Sequence, residues 1–181
     1  MERQPEFMKS MDGYLPISEM FYSIQGEGPT MGCPSIFIRL QGCNLLCSWC
    51  DTTNVWVKGN NMSHEDIFSY WMRSGWMDLF KEYEIPHVII TGGEPMTRQK
   101  ILIPFFQKLQ SKIGYCPLIE IETNGTISPS NDFDEYITQY NVSPKLQNSG
   151  MAANRRIQDA VIKRYLDLIS SLFQKKMKRG G

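Results

Sequence analysis

Short apolar runs and longer amphipathic segments alternate along this chain, with polar loops between them. In one such run, Ile36, Ile38 and Leu40 fall on one face of a strand. Strands are predicted at 17–24, 35–41, 86–91, 118–123 and 141–145, and helices from Ser63 and at 101–113, 133–140 and 154–173. This repeated order predicts an α/β fold with a parallel sheet or barrel, whose ligand-binding loops gather at the carboxyl ends of the strands.

Composition narrows the class of protein. The 181 residues are 41% hydrophobic and carry 19 Lys plus Arg against 19 Asp plus Glu, which gives no electrostatic reason to bind nucleic acid or a membrane. We predict a flexible arm at 1–14, one globular domain at 15–174 and a basic tail at 175–181. The arm lacks the apolar run of a signal peptide and no segment has the length of a transmembrane helix, so we expect a cytoplasmic protein.

Three cysteines crowd the loop after the second predicted strand. Cys43, Cys47 and Cys50 fall within eight residues, a density that indicates a metal centre or a redox pair. A zinc site needs a fourth ligand, but His64 and His87 stand alone, where solvated or capping roles are expected. A redox pair uses only the last two thiols. A three-thiolate 4Fe-4S cluster uses all three and leaves one iron open to a small molecule.

Several polar residues stand where ligands bind in α/β folds. Gln25 and Glu27 lie between glycines that allow close backbone approach, although a solvated turn explains them equally well. Arg39 lies mid-strand and needs an anionic partner, for which an internal salt bridge is the simplest candidate. The alternation in the strand at 118–123 puts Glu120 and Glu122 on one face, either toward solvent or into the mouth of a barrel.

Motif order points to a family. The cysteine spacing and Gly-Gly-Glu-Pro at 92–95 resemble the radical S-adenosylmethionine (SAM) superfamily. Further motifs in order are Ser-Ile-Gln-Gly-Glu-Gly at 23–28, Phe-Ile-Arg-Leu at 37–40, Cys-Asp-Thr at 50–52, Glu-Thr-Asn-Gly at 122–125 and Ser-Pro-Lys at 143–145. Together they resemble the 7-carboxy-7-deazaguanine synthase family over about 17–150. The resemblance implies a partial parallel (β/α) barrel of the radical SAM type over 15–174, incomplete at the C-terminus.

The resemblance also implies the cofactors. Cys43, Cys47 and Cys50 would hold three irons of a 4Fe-4S cluster, and SAM would chelate the fourth. Gly93, beside Glu94, would present backbone and side-chain acceptors to the methionyl ammonium. Further contacts to SAM would come from Trp49, Asp51, Ser143, Pro144 and Lys145. An electron from the cluster would cleave SAM to a 5′-deoxyadenosyl radical, so no side chain is assigned as catalytic.

In this family the substrate is 6-carboxy-5,6,7,8-tetrahydropterin. It becomes 7-carboxy-7-deazaguanine with loss of ammonia, on the route to 7-deazapurines such as queuosine in tRNA. The positions that match substrate-binding residues are Ile24, Gln25, Gly26, Arg39 and Thr91. Arg39 would bind the pterin carboxylate, because a guanidinium matches its geometry. Thr52 matches a Mg²⁺ ligand, since a hydroxyl oxygen suits a hard cation.

The implied partners are the pterin, a one-electron reductant such as a flavodoxin and a second copy of the chain in a homodimer, without nucleic acid or a membrane. In the family the chain continues beyond the helix that matches 154–173, into another strand with contacts to SAM and substrate. Here Lys-Lys-Met-Lys-Arg-Gly-Gly follows at 175–181, so we expect a truncated or divergent C-terminus. Two alternatives are another radical SAM reaction, such as activation of a glycyl-radical enzyme, and a non-enzymatic cluster-binding remnant.

Overall fold

One open sheet organises the chain in the computed structural model. The structure describes residues 13–53, 58–82 and 87–179; at 82 and 171–179 it describes the backbone alone. The six strands lie in the order β3-β1-β2-β4-β5-β6. Their bounds are β1 (Tyr14–Ile24), β2 (Pro34–Leu40), β3 (Asn60–Ser63), β4 (His87–Gly92), β5 (Ile119–Thr123) and β6 (Gln139–Val142). The helices are α1 (His64–Arg73), α2 (Trp76–Glu82), α3 (Gln99–Ile113), α4 (Asn131–Asp134), α5 (Ala153–Arg156) and α6 (Asp159–Arg179).

The strands β2, β4, β5 and β6 run parallel, whereas β1 and β3 are antiparallel additions at one edge. β1 pairs with β2 as a hairpin because the connection at 25–33 is too short for a crossover that would return a parallel strand. The predicted partial barrel is therefore confirmed as an open, mostly parallel sheet, with an antiparallel first strand. The carboxyl ends of the four parallel strands meet at one edge.

The core lies between the sheet and its helices. Ile36, Ile38 and Leu40 are fully buried in it, as their alternation predicts, with Phe68 and Phe105 stacked at 5.3 Å between ring centroids. Burial of this apolar face of the sheet against the helices supplies the main driving force for folding. The other face of the sheet carries the polar residues and the cavity described below. Within the described residues, no helix has the length and apolar character needed to cross a membrane.

One predicted helix is wrong, and another is interrupted. The helix predicted at 133–140 is a short α4, capped by the Ser130 side chain, followed by β6, in which Tyr140 pairs with Ile121 of β5. Burial of Tyr140 in the sheet outweighs its local helical pattern. The helix predicted at 154–173 is divided into α5 and α6, because the backbone of Ile157 is extended, with φ −123° and ψ 121°.

The predicted start of α1 is confirmed, since the Ser63 side chain accepts a hydrogen bond from Asp66 N. The solvated role expected for His64 is wrong: its ring is buried and packs edge-on against Phe105 at 5.6 Å. Of the predicted arm, residues 1–12 lie outside the described residues, as do the last two residues of the predicted tail, and α6 runs to Arg179. The domain bounds stay a prediction.

Candidate functional site

A cavity of about 450 Å³ opens at the carboxyl ends of the parallel strands. Its size is in the usual range for small-molecule sites. The predicted site residues that line it are Arg39, Cys43, Cys47, Trp49, Cys50, Asp51, Thr52, Thr91, Gly93, Ser143 and Lys145. Four other predicted residues, all described, lie outside this lining: Ile24, Gln25, Gly26 and Pro144. The motifs scattered along the sequence thus share one chamber.

The cysteine loop begins where β2 ends. Gly42 turns the chain with φ 81°, and its carbonyl accepts a hydrogen bond from Glu94 N at 2.9 Å. Gly93 N donates to Leu40 O at 3.0 Å, so the loop after β4 is bonded to the start of the cysteine loop. A side chain on Gly93 would overlap the Gly42 carbonyl, and therefore glycine is what allows the two loops to lie this close.

The donor set fits a cluster. Cys43, Cys47 and Cys50 are free thiols, and all three line the cavity. Burial raises the pKa of Cys43 to about 11, so this thiol must lose a proton on binding iron. Among the described residues, no three His, Cys, Asp or Glu side chains converge as ligands of a single metal ion would. In a 4Fe-4S cluster each iron takes one thiolate, and three free cysteines that line one chamber are a donor set of that kind.

The loops after β5 and β6 hold the cysteine loop from outside. Asn44 Nδ2 donates to Thr126 Oγ1 at 2.7 Å, and Asn124 Nδ2 donates to Asn44 Oδ1 at 3.0 Å. Ser48 N donates to Ser149 O at 2.9 Å. Arg155 Nη2, from α5, donates to Asn44 O at 3.0 Å. Residues at 124–155 therefore fix the ligand-bearing backbone.

Replacing Arg155 with Ala is expected to loosen the cysteine loop without unfolding the protein. The lost bond is exposed and worth about 1 kcal/mol at most, so the melting temperature should change little. Cluster loss to an iron chelator should accelerate about threefold, followed by absorbance near the cluster band. Arg164→Ala is the matched control, because Arg164 Nη2 bonds Asn131 Oδ1 away from the cysteines. Equal rates of cluster loss in both variants would contradict the role of Arg155 in holding the cysteine loop.

The buried Glu94 side chain bonds the loop after β5. Its side chain is 1% exposed, and Oε1 accepts from Met96 N at 3.0 Å and Thr123 Oγ1 at 2.7 Å. Oε2 accepts from Asn124 N at 2.7 Å. Burial raises the pKa of Glu94, and these three hydrogen bonds offset part of that rise. These hydrogen bonds join the loops after β4 and β5. Contact of the Glu94 side chain with the methionyl ammonium stays a prediction.

Arg39 has the internal partner that its position requires. Arg39 Nε lies 2.7 Å from Glu19 Oε1, and its guanidinium carbon lies 5.8 Å from the ring centroid of Phe21. Its side chain is 21% exposed and lines the cavity. A guanidinium has five N–H donors, so pairing through Nε leaves donors for a second acceptor in the chamber. The salt-bridge and ligand-binding interpretations are thus compatible.

Trp49 and Lys145 face each other across the chamber wall, with Lys145 Nζ 5.6 Å from the indole centroid. Lys145 Nζ also donates to Ser143 Oγ at 3.3 Å. Thr52 Oγ1 lies 3.6 Å from Cys50 Sγ, so the proposed cation ligand adjoins the last cysteine. These residues join the cysteine loop to the loop after β6.

Two acidic positions have different environments. Glu122 lines the cavity, as the barrel-mouth interpretation predicts, whereas Glu120 is fully buried. Glu120 Oε1 pairs with His87 Nδ1, so the solvated role expected for His87 is wrong. The solvated-turn interpretation of Gln25 is also wrong, since Gln25 is 1% exposed and donates to both glutamates.

Sequence reasoning missed two lining residues, Leu45 and Asn141. Gly92, Glu122, Thr123 and Asn124 also line the cavity, as expected for the loops after β4 and β5. Leu45 lies inside the cysteine loop, so the loop itself was the available signal. Asn141 had none, because its place follows from the pairing of β6 with β5.

Residues 24–158 match the family model of a 4Fe-4S single cluster domain. Curated 7-carboxy-7-deazaguanine synthases from Pyrobaculum aerophilum and Escherichia coli strain K12 are 34% and 38% identical over 76% and 75% of this chain. The crystal structure of QueE from Escherichia coli aligns with a TM-score of 0.59 and 33% identity, over 83% of this chain and 68% of that chain. The chain belongs to the 7-carboxy-7-deazaguanine synthase family. Within that family, the chain spans 58% and 63% of the length of the two curated synthases.

Membership in the synthase family confirms the resemblance carried by the motifs. It also separates the alternatives for the cysteine loop, because the matching family model describes a single 4Fe-4S cluster rather than zinc or a redox pair. In addition, the three cysteines line the same chamber as the Gly-Gly pair at 92–93. An iron–sulfur cluster is accordingly the cofactor that the cysteine loop suits.

Proposed function

We propose that this chain converts 6-carboxy-5,6,7,8-tetrahydropterin to 7-carboxy-7-deazaguanine, with loss of ammonia, as a radical SAM lyase in 7-deazapurine biosynthesis. The supporting observation is that the three cysteines and the two substrate-binding candidates Arg39 and Thr91 line one cavity. Thiols for a cluster and a guanidinium for a carboxylate thus face the same chamber, as a reaction between a bound cofactor and a bound acid requires.

The cysteine loop would hold the cofactors. Cys43, Cys47 and Cys50, which line the cavity, would each bind one iron. With three protein thiolates, the fourth iron would be available to SAM. When bound, the reduced cluster supplies the electron that cleaves SAM. Gly93, beside Glu94, would offer its backbone to the methionyl group, because Gly93 lines the same cavity as Cys43.

The adenosyl part of SAM would lie along the wall that joins Trp49 and Asp51 to the loop after β6. In that loop, Ser143 and Lys145 line the cavity, and Pro144 stands between them as backbone support. Arg156 Nη1 donates to Lys145 O at 3.2 Å and so holds this loop in place. Excluding water from this wall would protect the radical chemistry that the cofactor supplies.

The pterin would bind on the opposite wall. Arg39 would take its carboxylate and Thr91 a ring heteroatom, while Ile24, Gln25 and Gly26 would act through the loop at 25–33. Thr52 would contribute its hydroxyl to Mg²⁺, with substrate oxygens and waters as the other ligands. A one-electron reductant such as a flavodoxin, a homodimer and a cytoplasmic location complete the proposal.

A turnover assay tests the function. Anaerobically reconstituted protein with SAM, a low-potential reductant and the carboxypterin is expected to release 7-carboxy-7-deazaguanine and ammonia in equal amounts, measured by mass spectrometry. Cys47→Ala, which removes a cluster ligand, is the inactive control. SAM cleavage without deazaguanine would overturn the proposal in favour of another radical SAM reaction. An intact cluster that never cleaves SAM would indicate a cluster-binding remnant.

Replacing Arg39 with Met is expected to raise the KM for the pterin about 10- to 100-fold, since a hydrogen bond to a charged group is worth about 1.5–3 kcal/mol. Met keeps the alkyl stem against Phe21 but removes every donor. Binding of SAM, measured by calorimetry, should change less than about twofold because SAM contacts the other wall. Equal losses for both ligands would show that Arg39 supports the chamber as a whole instead of binding the acid.

A further inference from the structure

A buried carboxylate lies one step below the cavity. Glu120 is fully buried and stands two residues before Glu122 on the same face of β5. Its Oε2 accepts hydrogen bonds from Thr30 Oγ1 at 2.9 Å, Gln25 Nε2 at 3.2 Å and Asn141 Nδ2 at 3.3 Å. Its Oε1 pairs with His87 Nδ1. We call Gln25, Thr30, His87, Glu120 and Asn141 the floor network.

Glu120 is charged in this setting. Burial by itself raises the pKa of Glu120, but hydrogen bonds from His87, Thr30 and Gln25 outweigh it and hold the pKa below its usual value. A buried carboxylate with four polar partners is stable only while those partners remain in place. The network therefore favours one position of every group that donates to it.

The floor network fixes the loop at 25–33 across the sheet. This loop is closed by hydrogen bonds from Gln25 N to Cys33 O at 2.8 Å and from Gly32 N to Gln25 O at 2.7 Å. Gly28, at φ 70°, lies against the Asn141 side chain: a Cβ atom added to Gly28 would lie 3.0 Å from Asn141 Cγ. The loop thus spans from the β1–β2 hairpin to β6, the far strand of the sheet.

One member of the floor network lines the chamber, and a second bonds a residue that does. Asn141 both donates to Glu120 and lines the cavity. Gln25 Nε2 divides its donors between Glu120 Oε2 and Glu122 Oε1, the latter at 3.3 Å, and Glu122 is a cavity residue. Gln25 Oε1 accepts from Glu27 N at 3.1 Å. The Gln25 carboxamide therefore makes these hydrogen bonds within the protein, and it links Glu120 to Glu122 in the cavity wall.

We propose that Glu120 is a positioning residue for pterin binding, which acts by fixing the loop at 25–33, Glu122 and Asn141 against the chamber. This inference rests on the proposed function for its substrate and on the hydrogen bonds above for its geometry. Hydrogen-bond acceptors that are already fixed lower the entropic cost of ordering the site when a polar heterocycle binds. None of the residues proposed to contact SAM is among the hydrogen-bond partners of Glu120.

A pair of variants at Glu120 separates positioning from charge. In Glu120→Gln the amide oxygen can accept from the three donors and the amide NH₂ can donate to neutral His87 Nδ1, so the pterin KM should stay within about threefold. Glu120→Met removes every acceptor, so the pterin KM should rise at least about tenfold while the KM for SAM and the cluster content stay within about twofold. This split between the two substrates is the signature of positioning, because general destabilisation would lower cluster content and affect both ligands.

Thr30→Val gives a milder test should Glu120→Met fail to fold. It removes one donor from the loop side, and we expect an increase of about three- to fivefold in the pterin KM and faster amide hydrogen exchange at 26–33. Thr138→Val is the matched control, because the Thr138 hydroxyl bonds Ile119 N at the strand edge and touches neither the loop nor the cavity. It should leave both readouts unchanged.

The inference is overturned if Thr30→Val and Thr138→Val give the same KM and the same exchange at 26–33. It is equally overturned if a folded Glu120→Met binds pterin as the unchanged protein does. Hydrogen exchange is measured without substrate, so it decides whether Glu120 fixes the loop even when the unchanged protein makes no deazaguanine. Failure of the proposed function and failure of this inference therefore give different results.

Discussion

Replacing Gly93 with Ala is expected to abolish stable cluster binding. The added methyl group would overlap the Gly42 carbonyl and lie 2.9 Å from Cys43 N, and both are backbone atoms that cannot rotate away. The loops after β2 and β4 would have to separate, which costs about 2–3 kcal/mol in a packed site. Their separation would also stretch the hydrogen bond from Glu94 N to Gly42 O. Iron and sulfide content after reconstitution should fall at least about fivefold.

Gly26→Ala is the control for this change. An added Cβ at Gly26 meets nothing within 4 Å, and its φ lies outside the left-handed region, so the same methyl group is accommodated there. Cluster content and melting temperature should therefore match those of the unchanged protein. A Gly93→Ala protein that binds a full cluster would show that the cysteine loop can move away from β4 and still hold iron.

The residues that could be predicted from sequence owe their places to local pattern. The spacing of Cys43, Cys47 and Cys50 and the alternation in β2 are visible within a few residues, and the carboxyl-edge rule then brings the loops together. The resemblance supplied roles for Arg39 and Thr91. Both line the cavity, although their contacts with a ligand stay a prediction.

The residues that could not be predicted depend on pairs far apart in the chain. His87 and Glu120 meet only because β4 and β5 are neighbours in register, and each looks ordinary in its own segment. The Arg39 ion pair with Glu19 depends on an irregularity in β1 between Ile17 and Glu19 that shifts the register. Patterns of period two describe which face a residue takes, but they do not describe its partner on the next strand.

The same limit explains the division between α5 and α6. The apolar spacing at 154–173 continues through Ile157, so a single helix satisfies the local pattern. Arg155 and Arg156 instead donate to Asn44 O and Lys145 O, and the extended backbone at Ile157 then redirects the chain into α6. Contacts with the cysteine loop, which no local pattern contains, accompany the early end of α5.

Replacing Glu94 with Ala is expected to cause the largest loss of stability among the changes considered. The substitution leaves Met96 N, Asn124 N and the Thr123 hydroxyl without their acceptor in a site where Glu94 is 1% exposed. Leaving three buried donors without an acceptor costs about 3–5 kcal/mol. The urea midpoint of the apo protein should fall accordingly, with an unchanged m-value.

Glu94→Gln separates the lost acceptors from the lost volume. The amide keeps the shape of the side chain but replaces one acceptor oxygen with an NH₂ donor. That donor must face either Asn124 N or the pair formed by Met96 N and the Thr123 hydroxyl. We therefore expect an intermediate cost of about 1–3 kcal/mol. Glu65→Gln, at an exposed glutamate that pairs with Lys108, should change the midpoint far less. Because Glu94 joins the loops after β4 and β5, cluster content should fall in the same order, Ala below Gln below the unchanged protein. A Glu94→Ala protein with a normal midpoint but no SAM binding would show that this carboxylate serves the cofactor site instead of stability.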